Sequence, residues 1–289
     1  MKIFNFIINT NIYISLAAVA LTLGTQVQLG MQPQLHPYLF IIFFATIFEY
    51  NLHRLITIIT NPASLNNEKH SWVKNNKIAF YVLVSASVVG FSIAVALAKK
   101  IVLITLFPIG VVTLFYSLPV FKTKKIIFRL REIPCLKIFL ISMVWAATTI
   151  LLPIIQCGQT FGKWHVINML IERFIFVFAI TIPFDIRDMK SDEQTGLQTI
   201  PLIIGEKKAL LVGNVYMVLF LVVCCFHYYK TSLAFILPAF IISAFTTLLF
   251  LNSKKIKSLT HYHYFILDGT MLLQGFLICV CYYFTTINN

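Results

Sequence analysis

Residues 184–201 read FDIRDMKSDEQTGLQTIP and directly follow a long apolar run. If the preceding helix continues through them, Asp185, Asp188 and Asp192 lie at about 0°, 300° and 340° around its axis. The three carboxylates then share an arc of about 60°, while Arg187 is expected on the far side of the helix. The stretch therefore predicts a concentrated patch of negative charge at the end of an apolar helix.

Such a patch has two interpretations. It is either a solvated charged loop or a binding site for a cation that removes the repulsion among the three acids. Hard oxygen ligands of this kind favour Mg²⁺, which proteins often hold jointly with the phosphates of a substrate. The position of the acids at the end of an apolar helix favours the magnesium site.

The rest of the chain is strongly apolar. Of its 289 residues, 59% are hydrophobic and 11% are charged, whereas soluble proteins keep about a quarter of their residues charged. Apolar runs of about 20 residues predict nine membrane spans in a single all-α integral membrane domain, residues 1–289. The predicted spans lie near 9–28, 37–56, 78–97, 101–120, 137–155, 166–184, 209–227, 232–251 and 264–286.

The net charge of +13 does not indicate nucleic-acid binding. With nine spans and a cytoplasmic N-terminus, 17 of the 23 basic residues fall on the cytoplasmic side, as the positive-inside rule expects. The six cysteines lie within spans or at membrane edges and form no metal-ligand spacing. The predicted partner is therefore the bilayer, and the acids of residues 184–201 lie on its cytoplasmic side.

The stretch resembles the second aspartate-rich motif of the UbiA superfamily of intramembrane prenyltransferases, D-x-x-D-x-x-x-D-x-x-x-G-x-x-T-x-P. Every fixed position of that pattern is matched, by Asp185, Asp188, Asp192, Gly196, Thr199 and Pro201. Nine spans with a cytoplasmic N-terminus are also the layout of that family. The segment Tyr116 to Pro119, YSLP, with Lys122 and Lys124 after it, is similar to the fourth span and basic loop of the family.

The resemblance implies a helix bundle around a lipid-facing cavity, with an isoprenyl diphosphate at its cytoplasmic mouth. Mg²⁺ would bridge the diphosphate to Asp185, Asp188 and Asp192, while Lys122 and Lys124 are candidate diphosphate ligands. The implied reaction transfers the isoprenyl group to a lipophilic acceptor, such as the ring of a quinone precursor or a tetrapyrrole.

The second span ends in residues 48–62, FEYNLHRLITIITNP, where the family carries its first motif, N-D-x-x-D-x-x-x-D. Aligned on the proline that follows, Glu49 takes the place of the asparagine, and Tyr50, His53 and Thr57 take the places of the three acids. Every aspartate of the family is therefore replaced. Two metal sites cannot be carried over to this chain.

The replacing residues are still polar. Glu49, His53 and Thr57 form one stripe at about 0°, 40° and 80°, with Arg54 near 140° and Asn51 near 200°. Glu49 and His53 can satisfy each other at i and i+4, and Arg54 can extend to lipid phosphates. The alternative hypothesis is that Asn51, His53 and Arg54 contact the diphosphate directly in place of a metal.

Charged residues elsewhere have weaker assignments. Asp268 lies inside the ninth span and is a candidate for binding substrate, or for a structural ion pair. Glu172 and Arg173 near the outer end of span six are predicted to anchor the interface. His261 and His263 flank a span and are likewise predicted to be interfacial.

Three functions are compatible with these features. The favoured one is a magnesium-dependent prenyltransferase of the UbiA type in a bacterial cytoplasmic membrane. The second is a catalytically impaired relative that binds an isoprenoid or a partner without turnover, which the altered first motif favours. The third is a secondary transporter, but its acids would be expected near the membrane midplane and in inverted repeats.

Overall fold

The computed structural model describes residues 2–60, 68–118, 121–123, 126–128, 130, 133–194 and 196–288. These residues form a helical bundle with one short β-hairpin, in which Phe121–Thr123 (β1) pairs antiparallel with Ile126–Phe128 (β2). The helices are α1 (Lys2–Asn9), α2 (Ile12–Gln28), α3 (Pro37–Thr60), α4 (Glu68–Asn75), α5 (Lys77–Leu97), α6 (Lys100–Ser117), α7 (Leu136–Cys157), α8 (Lys163–Gln194), α9 (Ile200–Ile204), α10 (Glu206–Tyr228), α11 (Leu237–Asn252), α12 (Lys254–Lys257) and α13 (Asp268–Asn288).

Seven helical segments in the described part of the chain are long and apolar enough to cross a membrane. They comprise α3, α5, α7, α8, α10, α11 with the short turn before it, and α13 with the π-helical turn before it. The bent pair α1–α2 makes an eighth candidate, and the fourth predicted span coincides with the shorter apolar helix α6. The all-helical membrane fold is confirmed, and the count of nine spans stays a prediction.

The first predicted span, 9–28, corresponds to α2 from Ile12 onward, and a sharp bend at its start separates it from α1. The axes of α1 and α2 differ by 72°, and Asn11 between them has a φ of 64°. Asparagine is one of the few residues besides glycine that adopts this left-handed conformation readily. A uniform apolar pattern does not reveal such a break, because the apolar residues continue on both sides of it.

Helix α8 is the longest element and carries the acids of the quoted stretch. Its 32 residues extend over about 48 Å, well beyond the roughly 30 Å hydrocarbon thickness of a bilayer. It ends at a turn in which Gly196, with φ 74°, donates its N–H to the carbonyl of Glu193, and Leu197 donates to that of Asp192. This bond pattern is a common glycine-dependent helix end. It explains the glycine that follows the acids in the sequence.

The α2–α13 pair is packed closely because glycines lie at its contact. A Cβ atom on Gly275 would lie 2.2 Å from the carbonyl oxygen of Ala20, and one on Gly24 would lie 3.4 Å from the Cα of Gly275. Small residues allow membrane helices to approach in this way. On the other side of the core, the rings of Phe176, Phe220, Phe240 and Tyr228 pack in series.

The outward faces of α5, α6, α10 and α11 expose many large apolar side chains, among them Ile78, Phe107, Phe226 and Phe245. Exposed apolar surface of this extent is unfavourable in water and favourable against lipid. The exposed surface and the buried core thus both fit a bundle embedded in a membrane.

Candidate active site at the aspartate end of the bundle

The end of the bundle at which α8 finishes, called here the aspartate end, is organised by the turn after that helix. The carbonyl of Gln198 accepts a hydrogen bond from the N–H of Cys135, 2.9 Å away. Cys135 is the residue before α7 and adopts a φ of 59°. This contact fixes the start of α7 beside the end of α8 and places Lys137 against the acids.

Lys137 lies between two of the three aspartates. Its Nζ is 2.7 Å from Oδ1 of Asp185 and 3.4 Å from Oδ2 of Asp192. The side chains of Asp185 and Lys137 are 1% and 11% exposed, so the pair is largely removed from solvent. Buried charges of this kind are tolerated only when they are paired.

Asp188 is held by a second cation, Arg187, whose Nε and Nη2 donate to its two carboxylate oxygens at 2.7 and 3.0 Å. The prediction that Arg187 lies on the far side of the helix is therefore wrong, because its long side chain folds back to its neighbour. The guanidinium also lies over the rings of Phe184 and Tyr264, at 5.2 and 4.8 Å from their centroids. This second pair is more open than the first, with side chains 26% and 33% exposed.

Tyr264 belongs to a π-helical turn, Tyr262–Leu267, directly before α13. The turn also places the ring of His263 against that of Phe184, with centroids 5.5 Å apart. π-Helical turns occur mainly as short segments and are frequent at functional sites. His263, predicted to be interfacial, instead packs beside the helix that carries the acids.

Asn51 and Arg54 of α3 contact the α1–α2 break. The amide of Asn51 donates to the carbonyls of Thr10 and Ile47, at 3.1 and 2.8 Å, and accepts from Asn11 at 3.1 Å. Arg54 donates to the carbonyl of Asn9 at 2.6 Å and to Oδ1 of Asn11 at 3.1 Å. The side chains of Asn51 and Arg54 are thus engaged with the N-terminal segment.

The part of α3 that carries Tyr50 and His53 also approaches the aspartate end. The ring of His53 lies 6.2 Å from that of Tyr116, the penultimate residue of α6. Tyr116 in turn lies within electrostatic range of Lys137, and Tyr50 lies within range of both Tyr116 and Asp268. The contact of His53 with Tyr116, and the proximity of Tyr116 to Lys137, therefore place this part of α3 near the acids of α8.

The remaining predicted ligands have mixed positions. Asp268, the first residue of α13, is 9% exposed and lies within electrostatic range of Arg187 and of Tyr13. The backbone of Lys122 pairs with Ile127 in the hairpin. Lys124 lies outside the described residues.

A second buried polar cluster occupies the opposite end of the bundle. Glu172 and Arg173, predicted to anchor the interface, are 2% and 3% exposed, so that prediction is wrong. Glu172 contacts His227 Nδ1 at 2.5 Å and accepts from Tyr228 at 3.2 Å. Arg173 donates to Gln28 at 3.2 Å. The two residues face the bundle because α2 and α10 carry polar partners at the same level.

The described residues contain no group of three or more histidine, cysteine or acidic side chains already arranged to hold a metal ion. At the aspartate end each of the three carboxylates contacts Lys137 or Arg187. The residue that sequence reasoning missed here is Lys137. Its position at the start of a predicted span indicates only a basic residue at the membrane edge, and nothing in its local sequence marks it as a partner of α8.

Taken together, the fold and this end define a class of protein: a multi-pass membrane protein with an ion-paired acidic cluster where its helices end. The family model of the UbiA prenyltransferase family matches residues 74–264, more than half of the chain. The chain therefore belongs to the UbiA prenyltransferase family, as residues 184–201 predict. Comparison with curated protein sequences gives no match.

Solved structures share the fold at low sequence identity. An apo UbiA homologue from Aeropyrum pernix K1 has a TM-score of 0.65 at 12% identity, covering 94% of this chain and 98% of its own. A homologue from Archaeoglobus fulgidus was solved with DMAPP and Mg²⁺, and again with GPP and Mg²⁺. These two structures have TM-scores of 0.62 and 0.61 at 13% identity, covering 94% of this chain and 98% and 99% of their own.

Proposed function

We propose that this protein transfers an isoprenyl group from a prenyl diphosphate to a lipophilic acceptor that carries an aromatic ring. The observation that carries the proposal is the set of three aspartates and two cations, Lys137 and Arg187, at one end of a UbiA-family bundle. The Archaeoglobus fulgidus homologues solved with DMAPP or GPP and Mg²⁺ support this class of substrate.

The two cations support the binding of a diphosphate group. Arg187 presents a planar guanidinium, a geometry that suits phosphate oxygens. Its Nη1 is buried and has no hydrogen-bond partner among the described residues. A buried N–H without a partner costs free energy, and a phosphate oxygen entering from the open side of the Arg187–Asp188 pair would satisfy it.

Asp185, Asp188 and Asp192 also fit the proposed Mg²⁺. They supply carboxylate oxygens from one face of one helix, which is the ligand chemistry that Mg²⁺ prefers. The α3 side offers Tyr50, His53 and Thr57 instead of aspartates. The donor set therefore suits a single metal position on α8, completed by the phosphates of the substrate.

The proposed chemistry breaks the bond between the allylic carbon and the diphosphate oxygen. When bound, Mg²⁺ supplies positive charge that stabilises the departing diphosphate. Lys137 and Arg187 donate N–H groups to the same anion as its charge develops. His53 and Tyr50 line the facing wall, where His53 donates to a phosphate oxygen. The aromatic acceptor captures the allylic cation and then loses a proton.

The test uses the purified chain in nanodiscs with Mg²⁺ and prenyl diphosphates of several chain lengths. Diphosphate release is measured with and without aromatic acceptors, and binding of each prenyl diphosphate is measured separately. We expect acceptor-dependent release in the wild type, and at least about 10-fold weaker magnesium-dependent binding in Asp188→Asn and His53→Ala. Glu193→Gln, which alters an exposed acid of the same stretch, is the matched control. Undiminished binding in both test variants contradicts the proposal.

A second candidate is a family member that binds an isoprenoid without turnover. It is favoured by the loss of every aspartate from the α3 motif and by the engagement of Asn51 and Arg54 with the α1–α2 break. Tight prenyl diphosphate binding without release, across all chain lengths and acceptors, would support it. Under either function we propose that the aspartate end lies at the cytoplasmic face of a bacterial inner membrane, and the distribution of basic residues supports the cytoplasmic orientation.

A further inference from the structure

Lys137 is placed as an internal counter-ion of the acidic cluster. It comes from α7, and its ammonium lies 2.7 Å from Asp185 and 3.4 Å from Asp192, both on α8. All three side chains are largely buried. Without the ammonium, two carboxylates would face each other in a region of low dielectric constant, which is costly.

The charges of the cluster bear directly on metal binding. Each of the three aspartates already contacts a cation, Lys137 for two of them and Arg187 for Asp188. A divalent ion that approaches these carboxylates must displace an ammonium or a guanidinium before it gains their oxygens. Mg²⁺ also loses its water ligands reluctantly. Metal binding to the free protein is therefore expected to be weak.

We propose that Lys137 exchanges partners when substrate binds, and thereby makes the affinity for metal depend on the diphosphate. This inference rests on the proposed function. In the free protein the ammonium is shared between Asp185 and Asp192. When a diphosphate group is bound, the ammonium donates to phosphate oxygens, and the two released carboxylates become available to the divalent ion. Because coupling between two ligands is reciprocal, the metal raises the affinity for diphosphate by the same factor.

A purely structural ion pair between α7 and α8 is the competing interpretation. It predicts that removal of the ammonium lowers stability but leaves the coupling between metal and diphosphate unchanged. Lys137→Met separates the two, because methionine keeps an unbranched apolar side chain and removes the charge. Lys190→Met is the matched control, since Lys190 is exposed on the same turn region of α8. Lys137→Gln provides a second variant, with a neutral side chain that still hydrogen-bonds, if the methionine variant folds poorly.

The first measurement uses Mn²⁺ alone, followed by its paramagnetic resonance signal, with no diphosphate present. We expect weak binding in the wild type and in Lys190→Met, and at least about 10-fold tighter binding in the two Lys137 variants. This comparison does not depend on catalysis or on the identity of the acceptor. Equal Mn²⁺ affinity in all four proteins overturns the inference.

The second measurement is the affinity for geranyl diphosphate at zero and at saturating Mg²⁺. The ratio of the two affinities contains the direct attraction between metal and phosphate, which every variant shares. It also contains the contribution of Lys137, which only the two Lys137 variants lack. We expect this ratio to fall at least about 5-fold in Lys137→Met relative to Lys190→Met. An unchanged ratio with intact binding overturns the inference and leaves the proposed function standing. No binding of any of the prenyl diphosphates by the wild type, with or without Mg²⁺, overturns both, and the Mn²⁺ comparison still reports the effect of Lys137 on the metal.

Discussion

Two clusters of buried ionisable residues lie along α8, and they differ in how they are completed. Glu172 and Asp185 are separated by 13 residues of helix, or about 20 Å. At the Glu172 end, His227 and Tyr228 bond the carboxylate from a neighbouring helix. At the Asp185 end the acids are matched by cations, and the Arg187–Asp188 pair is partly open.

The bonds of the Glu172 cluster can be followed atom by atom. His165 Nε2 lies 2.9 Å from the carbonyl of Gln28 and must donate to it, so in a neutral His165 ring Nδ1 accepts from His227 Nε2 at 2.7 Å. His227 Nδ1 and Glu172 then share one further proton across 2.5 Å. The bonds from Gln28 to Glu172 are made by protein groups on three helices, which is typical of a structural polar network. Arg173 Nη1, beside Glu172, is buried without a hydrogen-bond partner among the described residues.

Burial of charge alone therefore does not identify a site in this protein. The Glu172 cluster satisfies its carboxylate with protein donors, whereas the aspartate cluster pairs its carboxylates with one lysine and one arginine side chain. We expect mutations in the two clusters to have opposite effects on stability and on activity.

The largest expected effect is on activity at the aspartate end. Asp185→Asn should lower magnesium-dependent diphosphate release at least about 100-fold, because it removes a charge that positions both the metal and Lys137. Glu172→Gln, nearly the same change in size and charge at the other cluster, should retain activity per folded molecule within about 3-fold. Initial rates normalised to the folded fraction give the comparison. Equal losses in the two variants would show that the clusters are not functionally distinct.

For stability, in contrast to activity, we expect a large loss from a mutation in the Glu172 cluster. Glu172→Ala leaves the donors of His227 and Tyr228 without their acceptor and removes the carboxylate beside buried Arg173. Breaking a buried charged network in this way costs about 3–5 kcal/mol. Thermal unfolding in detergent, followed by the fraction that stays monodisperse, should show a large loss. Glu193→Ala, which alters an exposed acid of the same helix, should unfold at the same temperature as the wild type.

Sequence patterns predicted much of this architecture and of the acidic cluster. Apolar runs reflect burial in lipid, so the long helices from α3 onward were predicted to within about five residues, except that α8 continues ten residues past its predicted end at 184. The short helices α4, α9 and α12 were not predicted. The α1–α2 break was missed, since it depends on the backbone of Asn11 and on polar partners from α3. Lys137 was missed because its role depends on Asp185, 48 residues away. Pairing between separate helices leaves no periodic signal in a single sequence.

We expect an intermediate effect from a mutation at the α2–α13 contact, because these two helices pack beside both clusters. Helix α2 carries Gln28 of the Glu172 cluster and packs against α13, which begins at Asp268 near Arg187. Gly275→Ala places a Cβ 2.2 Å from the carbonyl oxygen of Ala20, so the helices must separate at a cost of about 1–3 kcal/mol. Both stability and diphosphate affinity should fall. Gly110→Ala, with no atom within 4 Å of the new Cβ, should change neither.

The smallest effect is expected at Arg54, which tests whether α3 has one polar face or two. The helical wheel of α3 puts Arg54 and Asn51 well away from the stripe of Glu49, His53 and Thr57. In the structure Arg54 donates hydrogen bonds to the carbonyl of Asn9 and to the side chain of Asn11. Arg54→Gln should therefore destabilise the N-terminal segment by about 1–2 kcal/mol.

Hydrogen exchange separates this outcome from a role in substrate binding. Loss of the two bonds of Arg54 should increase amide exchange in residues 2–15, around the α1–α2 break, while the affinity for geranyl diphosphate with Mg²⁺ changes less than about 3-fold. His53→Ala on the other face should do the opposite, with weaker diphosphate binding and unchanged exchange at the break. If Arg54→Gln instead weakens diphosphate binding about 10-fold or more, the arginine reaches the substrate after a rearrangement of α1. The α1–α2 break would then belong to the active site, and both polar faces of α3 would contribute to substrate binding.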